Sequence, residues 1–259
     1  MSTFTVEQPE LVLPTVDRLN VKLPDNVDAK LIAAHWFKQF AQSMEAGDAI
    51  AVVDLLLCDA FWRDMLALTW EFRTFHGASR ISRFLSDIFA TSSIASDKEV
   101  SVTNFVLDDN QVELKSPYPD LAWIQGTFSF ETNIGHGSGV FRLVPISSEK
   151  WKAHVVYTNL ESLKGFPEHV GSLRNMEKTY GDEWLEQRKR ESNFETSDPT
   201  VVIVGAGQAG LEVAARLKYM GVSTLILECN NRVGDSWRKR YEALCLHDPI
   251  CKHSQQASL

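Results

Sequence analysis

The chain has 259 residues, of which 44% are hydrophobic and 23% charged, the composition of a globular protein long enough to bury one large core or two ordinary ones. A formal net charge of −8 argues against nucleic acid, whose phosphates are held by clustered Lys and Arg. No run approaches the ~18 apolar residues of a membrane span. The start lacks a secretory signal pattern, and Cys58, Cys229, Cys245 and Cys251 have no disulfide-framework spacing, so reduced thiols and a cytoplasmic location are expected.

Residues 1–28 hold Pro9, Pro14 and Pro24, show no helical period and read as an extended N-terminal arm. From Asp28 an i, i+3/i+4 stripe begins, with Leu31, Ala34, Trp36, Phe37, Phe40, Ala41 and Met44. It predicts a helix capped by Asp28 and stopped by Gly47, and a second short helix over 48–57. Residues 60–77, rich in aromatics and Thr, predict a strand or two short pieces joined by a turn. Residues 77–90 are helical again, with Ile81, Phe84, Leu85 and Ile88 on one face. Five strand-like segments follow, at 98–109, 112–119, 121–132, 137–147 and 149–163, with turns expected at 108–110 and 133–139. Helices followed by an antiparallel run describe an α+β domain over 29–163. Residues 164–199 read as a connector with a charged helix. Its basic triplet at 188–190 sits among Glu residues as a solvated face, and Pro199 ends the connector.

Residues 200–259 open with a different pattern. Gly205, Gly207 and Gly210 stand in G-x-G-x-x-G spacing after the apolar run 200–204. A helix stopped by Gly221 follows, then a second apolar run closing on Glu228, 21 residues past Gly207. In such a strand–turn–helix–strand unit the first glycine makes the turn, the second admits a pyrophosphate, and the third lets helix and strand pack. The backbone N–H groups of Ala206, Gln208 and Ala209 and the positive end of the helix would hold the phosphates. An acidic side chain at Glu228 reaches a ribose hydroxyl, which favours FAD or NAD over NADP.

The stretch after Glu228 carries Gly234, Asp235, Ser236, Trp237 and Arg238. In register with the glycine motif, it resembles the start of the flavin-containing monooxygenase family, in its fungal and auxin-pathway-like branch. The resemblance implies that the motif binds the ADP moiety of FAD and that Trp237 and Arg238 lie along the flavin's phosphate and ribitol. A packing aromatic and a surface cation are the alternative for those two. The family also uses NADPH through a second glycine motif and carries an F-x-G-x-x-x-H stretch, and neither occurs in this sequence. Two parallel strands, 201–204 and 224–228, are an incomplete Rossmann-type unit. The expectation is therefore a C-terminally truncated flavin domain that keeps the cradle but does not turn over, with no catalytic residues assigned and the small-molecule substrate unknown.

Residues 29–163, with the aromatic segment 61–77, resemble the NTF2/SnoaL-like cone fold. That likeness implies a pocket, for which Trp36, Phe61, Trp62, Asp64, Trp70 and His76 are candidates. Asp64 and His76 suggest acid–base work. The competing reading makes the aromatics core, gives Arg63 and Asp64 surface or capping contacts, and lets His76 cap the turn before Gly77. A ligand-binding or homodimerising module with a vestigial flavin tail is the alternative function. Cys245, His247, Cys251 and His253 cluster in sequence, but their spacing fits no metal pattern, so no metal is expected.

Overall fold

The structure, a computed structural model, describes residues 12–23, 26–91, 101–147, 150–173, 182–195 and 197–242. The chain divides into two compact units, Met1–Lys164 and Gly165–Leu259. The first eleven residues of the arm, and the Cys/His run at 245–253, lie outside the described residues.

The arm is not wholly extended. The Thr15 side chain accepts from the Arg18 N–H and starts a single turn, α1 (Val16–Leu19), which Asn20 ends in the left-handed region at φ 52°. One turn is too short to show a period, so the sequence pattern missed it.

α2 (Ala29–Glu45) begins where Asp28 accepts from the Leu31 N–H at 3.0 Å. Asp48 caps α3 (Ala49–Asp54) in the same way, through the Ala51 N–H at 2.9 Å. The short helix stops at Asp54 rather than running on to residue 57, because Leu56 and Leu57 enter β1 (Leu56–Met65) and bury there. β2 (Phe72–His76) pairs antiparallel with β1 and leads into α4 (Ala78–Thr91). The remaining strands are β3 (Val102–Tyr118), β4 (Leu121–Thr132), β5 (Gly135–Pro145) and β6 (Trp151–Leu163). Together they make one six-stranded sheet in the order β2-β1-β6-β5-β4-β3. The pairing is antiparallel except at β1–β6, which is parallel, a departure from the all-antiparallel expectation.

α2 lays Trp36, Phe37, Phe40 and Met44 against one face of this sheet. Trp36 stacks on Phe40 at 5.0 Å, and Phe40 meets Trp62 of β1 at 5.9 Å. Phe37 meets Phe128 of β4 at 5.3 Å. α4 adds Ile81, Phe84, Leu85 and Ile88, all buried, from the face read in the sequence. The space under the helices is thus filled with aromatic rings, each bringing a large buried apolar area.

Two expected turns are strand instead. The first, at 108–110, is a bulge inside one long β3. Asp108 pairs with Thr127, and pairing resumes at Glu113 with Gln125. The second, at 133–139, contains only a tight turn at Asn133 and Ile134, and Gly135, Gly137 and Gly139 belong to β5. The neighbouring strand explains this. Phe128 and Phe130 of β4 lie over Gly139 and Gly137, where a Cβ would come within 2.1 and 2.4 Å of a ring atom. The glycines make room for rings, not for a reversal of the chain.

Asp64 is fully buried on the helix-facing side of β1. Its carboxylate accepts from the Thr158 hydroxyl at 2.7 Å, from the Leu68 N–H at 3.2 Å and from the Thr69 N–H at 3.1 Å. Trp62 donates its indole N–H to the same Thr158 oxygen at 3.1 Å. Burial pushes the Asp64 carboxyl above its ordinary value, against hydrogen bonds that pull it down. A raised folded value means that the native state holds the proton more tightly than the unfolded chain. The group's contribution is then fully present below 3.8 and declines as pH rises from there through the raised value. Asp64→Ala is expected to cost about 3 kcal/mol, because two backbone N–H groups and the Thr158 and Thr69 hydroxyls lose their acceptor. The wild-type advantage over the variant, measured by urea denaturation, should be larger near pH 4 than near pH 7. A gap that widens with pH would contradict the raised value.

Candidate nucleotide-binding site

In the C-terminal unit β7 (Val201–Val204) and β8 (Thr224–Leu227) pair parallel, Val201 opposite Thr224 and Val204 opposite Leu227. α6 (Gln208–Tyr219) connects them. At its C-terminal end Arg216 pairs with Glu168 at 2.6 Å, which ties residues 165–170 to the helix. α5 (Asp182–Ser192) precedes β7 as the expected charged helix, with Lys189 and Arg190 exposed.

The three glycines do three different things. Gly205 takes φ 101°, a left-handed value that favours glycine, and its N–H donates to the Leu227 carbonyl at 2.7 Å. Gly207 is the cap residue of α6 in extended backbone, and no side chain caps the helix. Among the described residues an added Cβ at Gly207 meets nothing within 4 Å, so none of them fills the space in front of the helix end. At Gly210 the reverse holds: a Cβ would stand 2.0 Å from the Gly205 carbonyl oxygen, so helix and turn are in close contact. Among the described residues, the positive end of a twelve-residue helix is therefore left unfilled, beside a part-buried glycine turn.

Glu228 follows β8 and closes the other side. Its Oε2 accepts from the Ala206 N–H at 2.7 Å. Its Oε1 accepts from the Asn230 N–H at 2.8 Å and from the Asn230 side-chain amide at 2.6 Å. Those bonds, the Asn230 and Ala206 backbone donors first, hold its carboxyl down at about 2. It is ionised throughout the neutral range, an acceptor in place for hydroxyls. Its stabilising bonds are present above the ordinary 4.5 and are lost as pH falls toward 2.

Residues Gly205, Ala206, Gly207, Gln208, Ala209, Gly210 and Glu228 thus meet at the C-terminal ends of the two strands. Trp237 and Arg238 sit on a separate single turn, α7 (Asp235–Arg238). Trp237 is 39% exposed and stacks on Tyr241 at 6.0 Å. Arg238 donates to Asp235 at 2.8 Å and to the Val233 carbonyl at 3.1 Å. Sequence reading missed Asn230 and Lys239. The Lys239 ammonium donates to the Asn230 side-chain carbonyl oxygen at 2.6 Å, which links α7 to Glu228 through Asn230. A polar amide two residues past the acid is the only sequence signal for it.

The proposed cone pocket does not assemble. β1 alternates, so Trp62 and Asp64 point to the core while Phe61 and Arg63 point away from it. His76 pairs in register with Phe61 and stacks on its ring at 4.3 Å. Asp64 and His76 therefore lie on opposite faces of the sheet, and no acid–base pair forms. Trp36 is buried, and Trp70 is 66% exposed in the loop after β1. Of the competing reading, the surface contact of Arg63 with Thr74 and the capping contact of Asp64 hold, the latter from a buried position, whereas His76 packs on Phe61.

No family model matches the chain. Short local sequence matches fall on oxidoreductases. The chain is 39% identical over 66 residues to the indole-3-pyruvate monooxygenase YUCCA1 of Oryza sativa subsp. japonica, 25% of this chain and 16% of that protein. It is 53% identical over 49 residues to the probable indole-3-pyruvate monooxygenase YUCCA3 of Arabidopsis thaliana, 18% of this chain and 11% of that protein. It is 43% identical over 49 residues to an uncharacterised oxidoreductase CzcO-like of Geobacillus kaustophilus, 19% of this chain and 14% of that protein. The matched stretches therefore span less than a fifth of these relatives. Among solved structures, Aln2 from a Streptomyces species covers 54% of this chain and 94% of its own at 10% identity and TM-score 0.39. Nuclear transport factor 2 from Cryptosporidium parvum covers 54% and 100% at 14% identity and TM-score 0.38.

Proposed function

We propose that residues 200–242 hold the ADP moiety of FAD, and that the chain carries the cofactor-binding start of a flavin-dependent monooxygenase-like oxidoreductase. The observation that carries this reading is the open, uncapped end of α6 at Gly207 with ionised Glu228 beside it. The N–H groups of Gly207, Gln208 and Ala209 would face the pyrophosphate, Gly205 and Ala206, whose N–H groups donate to Leu227 and Glu228, would shape the turn, and Glu228 would meet the ribose hydroxyls. When bound, FAD supplies two-electron redox chemistry. The residues described contribute binding and orientation. A single glycine motif leaves no second cradle for NADPH in these 259 residues, so no NADPH oxidation is expected from this chain alone.

Calorimetric titration tests the reading. ADP and FAD should bind competitively. Adenosine 2′,5′-bisphosphate should bind at least about tenfold more weakly than 5′-AMP, because its 2′-phosphate meets the Glu228 carboxylate. No binding of ADP or FAD, or a preference for the 2′-phosphate, would overturn the assignment.

A second reading concerns the N-terminal unit, for which we propose homodimerisation through the sheet face away from the helices. Phe61 pairs with Val155 and Val140 with Tyr157 on that face, all four half-buried, and Arg142 and Arg63 stand beside these pairs in register, giving an apolar patch with a cationic border. Val140→Glu should halve the mass seen by light scattering and leave the circular dichroism unchanged. A wild-type monomer would dismiss this reading.

A further inference from the structure

The loop between β1 and β2 is built with strain. Leu66 sits at φ 64°, a left-handed value that is costly for a residue with a branched side chain. Buried Asp64 offsets the strain by accepting the Leu68 and Thr69 N–H groups and the Thr69 hydroxyl at 3.3 Å. A strained segment held this firmly presents its side chains in one arrangement, a device common at ligand clamps. What it presents is one wall of a cleft of about 590 Å³, closed by β2 and α4. That volume lies within the roughly 300–1,000 Å³ usual for small-molecule sites.

The cleft has an apolar floor and a cationic rim. Phe75 of β2 stacks on Phe84 of α4 at 4.1 Å with 24° between the rings, and Leu68 and Ile88 flank them. Arg80 and Arg83, three residues apart on one face of α4, stand on the rim with Arg73 and, among the described residues, a single carboxylate, Asp87. Glu71 pairs with Arg73. Neither the Arg80 nor the Arg83 guanidinium has a hydrogen bond or ion pair with another described residue. In a chain of net charge −8, two such guanidiniums lining one cleft with a stacked aromatic pair are a local reversal of sign. Guanidinium forks match carboxylates in geometry and bind them by charge-assisted hydrogen bonds.

We propose that this cleft binds a small aromatic carboxylate, its ring on the Phe75–Phe84 floor and its carboxylate on Arg80 and Arg83. The site lies in the N-terminal unit and does not depend on the cofactor reading. 2-Naphthoate and the uncharged 2-naphthylmethanol serve as probes, titrated into the full 15N-labelled chain. Naphthoate should shift the amides of Thr69, Phe75, Arg83 and Ile88. The double variant Arg80→Gln/Arg83→Gln should bind it at least about tenfold more weakly, with the affinity for the alcohol unchanged. Both arginines are exposed, so the variant should melt with the wild type. Raising the salt should weaken naphthoate and leave the alcohol alone. Equal naphthoate affinity in the two proteins, or shifts confined to other residues, would refute the site.

Discussion

Gly139→Ala should destabilise the N-terminal unit by about 3 kcal/mol, and Gly139→Val by more. The new Cβ would stand 2.1 Å from one atom of the Phe128 ring and within 2.7 Å of two others. The ring has little freedom to retreat. It lies 5.3 Å from Phe37, 5.7 Å from Phe40, 6.0 Å from Phe130 and 6.3 Å from Phe141. Interiors are packed to the density of organic crystals, so pushing one ring of this cluster moves the others. Either the ring leaves its rotamer or β5 moves off β4, and both cost more than an exposed Gly→Ala change returns in unfolded-state entropy. Chemical denaturation of both variants reads the cost directly. Combining Gly139→Ala with Phe128→Leu should recover part of it, since the smaller side chain vacates the contested space. The recovery, taken as a double-mutant cycle, isolates the clash from any general loss of strand propensity. If Gly139→Ala unfolds at the wild-type midpoint, the ring does not occupy the space over that glycine.

The same contact explains which parts of the fold can be read from sequence. α2 and α4 were legible because a helix writes its buried face into its own spacing, as Trp36, Phe37, Phe40 and Met44 do, and Ile81, Phe84, Leu85 and Ile88 again. The glycines of β5 and the Asp–Asn run of β3 predict turns because those residues favour turns locally. What makes them strand is the volume supplied by a neighbouring strand, which is non-local information. Asp64 and His76 fail as a pair for a related reason. Which face each occupies depends on register, and register is set by pairing, not by the spacing of two residues in the chain. At the candidate nucleotide site the turn glycines and Glu228 are legible as local features because each answers a backbone demand of one short unit. Asn230 and Lys239 answer to side-chain positions, and nothing in the spacing announces them.

Gly207→Val should weaken cofactor binding about 100-fold with little loss of stability, and Gly210→Ala should reduce both. The two glycines stand three residues apart in one motif, but their surroundings are opposite. Gly207 has ordinary extended backbone, at φ −77° and ψ −174°, and open space around its Cβ position. Valine there strains nothing in the folded chain, but it fills the space in front of the α6 N–H groups where a pyrophosphate would lie. ADP and FAD affinity should fall about 100-fold, or about 2.7 kcal/mol. Gly210 is pressed against the Gly205 carbonyl oxygen, 2.0 Å from the position of a new Cβ. Alanine there forces α6 off the turn, which should cost about 2 kcal/mol of stability in the C-terminal unit and scatter the N–H groups that face the ligand. Thermal melts and nucleotide titrations of both variants separate the two effects. A Gly207→Val chain that binds FAD as tightly as wild type would mean that the open space at the helix end is not where the phosphates sit. Equal destabilisation by the two changes would mean that Gly207 is a packing glycine, and the turn would then lose its reason for being open.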